Sequence, residues 1–251
     1  MNDPLFNALL GLADDSLILA QRLCEWSGHA PTVEVDLSLS NLALDLIGQA
    51  TLFLGYAGEV EGQGRDADRL AFHRDAPDFR NCLLVEQPNG DFGQTMARQL
   101  LFSTYQLALF DRLQHSTDPR IAAISAKAVK EVAYHADLAA DWVVRLGDGT
   151  DESKRRMTDG FDWFWRFVDD MFARDDAQAH LVADGVLVDR AALRADFDGR
   201  VAEVLAVAAL PAPPARLWPI TGGRDGRHSE HLSPLLAVMQ VLPRAQPEAV
   251  W

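Results

Sequence analysis

Apolar residues recur along this chain at helical spacing, in long blocks separated by short polar breaks. Over residues 121–147 the positions Ile121, Ile124, Ala128, Val132, His135, Ala139 and Val143 fall three and four apart, which is one face of an α-helix. Asp118-Pro119 supplies a start for that helix, and Gly147 followed by Asp148-Gly149 supplies a stop. Residues 5–27 carry Leu9, Leu10, Leu12, Leu17, Ile18, Leu19, Leu23 and Trp26 in the same way and end at Gly28 and Pro31, with a bend expected at Asp14-Asp15. The block 33–58 is apolar on nearly every side, which predicts a central helix, with Asp36 or Ser38 as its cap. Residues 92–115 hold Met96, Leu100, Leu101, Leu107, Phe110 and Leu113 and turn back through Ser116-Thr117-Asp118-Pro119.

Between these blocks, residues 59–89 are rich in Gly, Asp and Arg, and Phe72, Phe79, Leu83, Leu84 and Val85 predict short helical turns there. A fifth helix, 153–174, concentrates Phe161, Trp163, Phe164, Trp165, Phe167, Met171 and Phe172, a density typical of core or interface. Asp189 caps a sixth helix that reaches Leu210. Pro211, Pro213 and Pro214 then open a loop to Arg227, and a last helix at 229–242 precedes a polar tail ending at Trp251. Short turns between long helices imply antiparallel neighbours, and no hairpin signature or sustained period-two alternation interrupts the helical pattern. The expectation is an all-α four-helix bundle with additional C-terminal helices. It forms a single domain over 1–251, with its core at 5–147 and peripheral helices at 153–243.

A chain of 251 residues with 48% hydrophobic content buries a substantial core. Its formal charge of −14 opposes phosphate-backbone and anionic-membrane partners, because those attractions need clustered Lys and Arg. Cys24 and Cys82 are too few for a disulfide framework and are not spaced as metal ligands, which fits a cytoplasmic location. No basic segment precedes the first apolar block, and no uninterrupted apolar run is long enough to span a bilayer, so neither a leader peptide nor a membrane anchor is expected.

Glu131 and His135 stand one turn apart on the same side of their helix, the kind of pair that carboxylate-bridged metal bundles use. Such bundles take Glu-x-x-His from two helices and one Glu from each of the other two. Here the corresponding places read Val132 with His135 and Leu46 with Gln49. The helix at 92–115 offers Phe102 or Ser103, and the first helix offers only Asp15. His135 and Asp15 alone do not hold two ions. A shifted arrangement would use Asp45 with Glu131 and His135, but Asp45 points about 100° away from Leu46. The favoured fate of Glu131 and His135 is therefore a packing pair with Lys127, Lys130 or Tyr134. Ser38, Asn41, Asp45 and Gln49 form one polar line, read as an internal hydrogen-bond network or subunit contact because Asn and Gln ligate metals poorly. Gly222, Gly223, Arg224 and Arg227 precede a helix and could meet an anion or a partner, a plain connection being the competing reading. His228, Glu230 and His231 do not converge at a first helical turn.

These segments resemble the C-subunit family of the bacterial phenylacetyl-CoA epoxidases, the multicomponent oxygenases of phenylacetate degradation. The likeness rests on Glu25-Trp26-Ser27-Gly28-His29-Ala30-Pro31, Leu44-Asp45-Leu46-Ile47-Gly48-Gln49-Ala50 and Leu84-Val85-Glu86-Gln87-Pro88-Asn89-Gly90. It continues in Ile124 through Glu131 with Tyr134-His135, in Leu146-Gly147-Asp148-Gly149-Thr150-Asp151, and in Thr221-Gly222-Gly223 through Leu232. The resemblance implies a ferritin-like fold and a structural subunit with no activity of its own. It implies a catalytic A subunit and other oxygenase subunits as partners; whether the isolated chain forms a homodimer through the surface meant for its partner stays open. It further implies no cofactor on this chain, with di-iron on the A subunit and NADPH, FAD and iron-sulfur on a reductase subunit. Two other classes stay open from the residues alone: an independent dimetal oxidase, and an acidic helical adaptor unrelated to oxygenases.

Overall fold

A computed structural model describes residues 3–214 and 218–247; the chain end at Trp251 and residues 215–217 of the proline-rich loop lie outside them. The α-helices in chain order are α1 (Pro4–Cys24), α2 (Val33–Glu61), α3 (Ala67–Phe72), α4 (Leu83–Glu86), α5 (Phe92–Leu113) and α6 (Pro119–Gly147). They continue with α7 (Asp151–Phe164), α8 (Val168–Met171), α9 (Ala179–Ala183), α10 (Arg194–Val207) and α11 (Leu232–Ala245). Among the described residues there is no strand. The chain divides into two compact units, Met1–Pro88 with Gly222–Trp251, and Asn89–Thr221.

In the first unit, Asp3 caps α1 by accepting from the Leu5 N–H at 2.7 Å, with Pro4 at the first helical position. Every residue from Ala8 to Ala20 is buried, Asp14 and Asp15 included. The helix runs through that acidic pair without a break, and both carboxylates have arginine partners. Thr32, not Asp36 or Ser38, caps α2 by accepting from Val35 N–H at 3.3 Å. Asp36 instead accepts from Gly28 N–H, and the Ser38 hydroxyl donates back to the Glu34 carbonyl. Gly62 ends α2 in the left-handed region at φ 69°, where a side chain would be strained. α1 packs along α2, burying Leu39, Leu42, Leu46, Ala50, Phe53 and Ala57. Fully buried side chains such as Ile18, Leu19, Leu46 and Phe53 each contribute about 1.5–3 kcal/mol.

α2 is apolar on all sides as expected, yet it is not central: only one face is covered. Val33, Leu37, Leu44, Ile47 and Leu52 remain exposed. By length and composition alone α2 is also apolar enough to cross a bilayer, even though Asn41, Asp45 and Gln49 interrupt its apolar run. The short helical turns expected in 59–89 are present as α3, a 3-10 turn at Ala76–Asp78, and α4. α11 packs back against α3.

In the second unit, Asp91 and Gln94 form a capping box at the start of α5, and Asp118 caps α6 through the Arg120 and Ile121 N–H groups. The predicted face of α6 is the buried one: Ile121, Ile124, Ala128, Val132, His135, Ala139 and Val143 are all buried. A Cβ on Gly147 would sit 2.5 Å from the Ala208 carbonyl oxygen, so only glycine lets α6 pass this close to the end of α10. The aromatic block is not one helix. α7 ends at Phe164, a 3-10 turn covers Trp165–Phe167, and α8 follows. The break lets rings on both sides of it turn inward: Tyr105 meets Phe172 at 5.3 Å, Phe172 meets Phe197 at 5.2 Å, and Trp165 stacks on Phe197 at 6.2 Å. Asp189 does cap the segment leading into α10, accepting from Ala191 N–H at 3.0 Å.

Candidate functional site

The places where a carboxylate-bundle metal centre would draw its ligands are occupied by other interactions. Asp15 receives the Arg224 guanidinium as a fork, at 2.9 and 2.6 Å, and accepts the Cys82 N–H at 2.7 Å. Arg224 is itself fixed by the carbonyls of Gly11 and Arg80, at 2.9 and 2.8 Å. Its neighbour Asp14 takes a second fork from Arg74 and the Arg80 N–H at 2.8 Å, and the Arg74 guanidinium lies 4.2 Å from the Phe79 ring centroid. Two consecutive acids on α1 thus anchor two separate loop segments. Leu46 is fully buried, Asp45 is half-buried, and Gln49 accepts the Ser16 hydroxyl at 3.4 Å. The polar line on α2 is therefore not a continuous internal network: Gln49 faces inward, whereas Asn41 is exposed.

In the second unit, the Ser103 hydroxyl donates to its own helix at the Gln99 carbonyl, 2.6 Å away, and Val132 is fully buried. Glu131 has Lys127 at 3.7 Å on the partly exposed side of α6, so the expected pair exists but lies near solvent instead of in the core. His135 is buried at 1% exposure. Among the described residues no three His, Cys, Asp or Glu side chains come together to hold a metal ion. The residues do not fit a di-iron group: two places are aliphatic, and the Asp15 carboxylate is engaged by a guanidinium and a backbone N–H.

The loop at Gly222–Arg227 is not an open anion cradle. Gly222 and Gly223 are buried, Arg224 points inward to Asp15, and exposed Arg227 pairs with Asp225 at 2.7 Å. Gly226, at φ 79°, passes so close to Pro77 that a Cβ would lie 2.2 Å from its carbonyl oxygen. The loop is a clasp. Its second fastening is Glu86, a residue to which the sequence pattern assigns no role. The Glu86 carboxylate meets His228 Nδ1 at 2.8 Å and accepts from Ser229 N–H at 2.6 Å and Asn81 Nδ2 at 2.9 Å. His228 Nε2 faces the Phe79 carbonyl at 3.1 Å, so the ring bridges Glu86 and the Phe79 backbone. Arg22 closes the cluster by donating to the Glu86 carbonyl at 3.1 and 2.7 Å. The one sequence signal is an acid set in the buried run Leu83, Leu84, Val85; its histidine lies 142 residues away. His231 lies 3.8 Å from exposed Glu230; contrary to the expected first-turn placement, His228, Glu230 and His231 all precede α11, which begins at Leu232.

The remaining feature of this unit is the uncovered side of α2. Val33, Leu37 and Leu44 are 72%, 60% and 64% exposed and share a face with Ile47 and Leu52. Gly48 within this stretch and Gly55 just beyond it have open space where a side chain would stand, so another backbone can approach closely.

These features define an all-helical chain whose first helix carries acids held by arginines and whose second helix leaves one long apolar face uncovered. The chain belongs to the family described as phenylacetic acid catabolic protein, a ferritin-like helical family, and the match covers residues 1–251. It is similar to the C subunit of the 1,2-phenylacetyl-CoA epoxidase of Escherichia coli (strain K12), at 48% identity over 242 residues, which is 96% of this chain and 97% of that protein.

Proposed function

We propose that this chain is the structural subunit of a phenylacetyl-CoA epoxidase in phenylacetate catabolism, pairing with a catalytic A subunit that carries the di-iron centre. The observation that carries this reading is the exposed apolar face of α2, in a unit whose bundle acids are consumed by arginines. Contiguous exposed aliphatic surface of this kind on an acidic chain marks a docking face, and burying it against a second subunit supplies the association energy. α2 offers such a face and α5 does not. α5 is buried along nearly its whole length and is exposed only at Asp111 and Arg112.

In this role the chain holds no cofactor and touches no substrate. It stabilises the productive arrangement of the catalytic subunit's helices by binding that arrangement preferentially. Electrons pass from NADPH through the flavin and iron-sulfur groups of a reductase subunit to the A subunit. Co-expression with the A subunit followed by size-exclusion chromatography tests the pairing, with metal analysis of the peak. The expected result is one co-eluting species whose iron tracks the A subunit, together with a metal-poor isolated chain. Separate elution at micromolar concentration removes the proposal, and stoichiometric iron on the isolated chain replaces it with an independent oxidase.

A further inference from the structure

Asn89-Gly90 is the one Asn-Gly step in the chain, and it stands immediately ahead of the Asp91 cap of α5. The fold requires a glycine there on two counts. Gly90 has φ 60°, in the left-handed region. A Cβ on it would also overlap the side chain of Gln94, which accepts the Asp91 N–H at 3.0 Å and completes the capping box. No bulkier residue can therefore stand at this place and shield the Asn89 side chain from the nitrogen that follows it. Gly90 is exposed, and among the described residues its N–H donates to no acceptor. Other asparagines are placed differently. The Cys82 N–H, which follows Asn81, donates to Asp15 at 2.7 Å, and the N–H groups that follow Asn7 and Asn41 lie inside α1 and α2.

The amide of Asn89 is held by a cation. Arg98, fully buried, donates from Nη2 to Asn89 Oδ1 at 2.6 Å, and the Thr95 hydroxyl fixes the main chain by donating to the Asn89 carbonyl at 3.0 Å. A guanidinium on an amide oxygen draws electron density from the amide carbon and stabilises the negative charge that gathers on the oxygen when a nucleophile adds. The same guanidinium suits the product. A carboxylate in place of the amide would receive Arg98 as a charge-assisted bond, and it would lie ahead of α5, where the helix dipole favours an anion.

We propose that Asn89 is a self-modification site, its side-chain amide converted to a carboxyl group through attack by the backbone nitrogen of Gly90. That nitrogen gives its proton to water and bonds to the Asn89 side-chain carbonyl carbon. The bond from this carbon to Nδ2 breaks, ammonia leaves with the proton, and a five-membered imide ring closes. Water then opens the ring. Cleavage on the side-chain side gives aspartate, and cleavage on the main-chain side gives isoaspartate, which lengthens the main chain by one carbon just ahead of the α5 cap. No oxidant or cofactor enters, and the reaction is independent of the subunit reading above.

The test keeps the folded full-length chain in mildly alkaline buffer at physiological temperature, mapping its peptides by mass spectrometry over time and assaying released ammonia. The expected result is a gain of about one dalton in the peptide spanning Asn89, with isoaspartate among the products and one ammonia per converted chain. Its rate is expected to exceed that at Asn7, Asn41 or Asn81 roughly tenfold or more, because the attacking nitrogen is already adjacent and unengaged. An unchanged peptide in the folded chain, while a urea-unfolded sample converts, overturns the proposal. Asn89→Gln keeps an amide but cannot close the five-membered ring, so ammonia release is expected to stop; release at the wild-type rate places the reaction elsewhere and overturns it too. Asn89→Asp reproduces one product directly. Held by Arg98, its carboxyl pKa lies below that in the unfolded chain, so the added stability is present at neutral pH and lost as pH falls through the folded value. The urea midpoint of this variant at neutral pH is expected to equal or exceed that of the wild type, and a lower midpoint overturns the assignment of Arg98 as the group that receives the product.

Discussion

A buried carboxylate that accepts a two-pronged guanidinium and a backbone N–H has both oxygens engaged and its charge already matched, and Asp15 is in that condition. Its charge is now a structural liability that only Arg224 neutralises. Removing one partner of a buried pair costs far more than the pair itself contributes, because the survivor stays desolvated and uncompensated. Arg224→Met is therefore expected to destabilise the chain by about 3–5 kcal/mol in urea unfolding, and adding Asp15→Asn to recover a substantial part of that loss. A penalty below about 1 kcal/mol, with no recovery in the double variant, contradicts the arrangement. The sequence pattern marks Asp15 correctly as an inward-facing acid on the first helix. Its partner is illegible there because it lies 209 residues downstream in a glycine-rich loop that local pattern reads as a connection. Glu86 and His228 are hidden for the same reason.

Helices are legible where one face alone is apolar and ambiguous where all faces are. α6, with a clear stripe, can be read residue by residue, whereas pattern puts α2 at the centre because hydrophobicity cannot say whether the neighbour is the same chain or another one. The aromatic block misleads differently: its spacing allows a helix through 174, but the rings pack on α5 and α10 only if the backbone turns after Phe164. The two faces of α2 make opposite predictions. Leu37→Asp and Leu44→Asp, on the open face, are expected to shift the stability of the isolated chain by no more than about 0.5 kcal/mol while weakening A-subunit binding at least about tenfold. Leu46→Asp, two positions beyond Leu44 but fully buried, is expected to unfold the chain instead. Equal binding by wild type and the open-face variants, measured by calorimetric titration with the A subunit, would assign that face to something else.

At the scale of the whole molecule, the first unit is made from the two ends of the chain: Met1–Pro88 is completed by Gly222–Trp251. The returning segment brings more than α11. It brings the guanidinium for Asp15, the imidazole and N–H groups for Glu86, and the side chains that satisfy the carbonyls at the end of α3. A reading by position makes the C-terminal helices peripheral, and the physical chemistry makes them obligatory, since without them two acids at the heart of the unit have no counterpart in a low-dielectric interior. The contacts also close a loop of the whole intervening second unit, so the first unit cannot complete until Arg224 through Arg244 are in place. A chain ending at Thr221 is thus expected to retain helix by circular dichroism but lose its cooperative urea transition and expose apolar surface to a fluorescent dye. Supplying Gly222–Trp251 as a separate peptide should restore little, because the effective concentration given by covalent linkage is gone. A truncated chain that unfolds cooperatively at the full-length midpoint would mean that the clasp is ornamental and that α1 and α4 bury Asp15 and Glu86 by some other means.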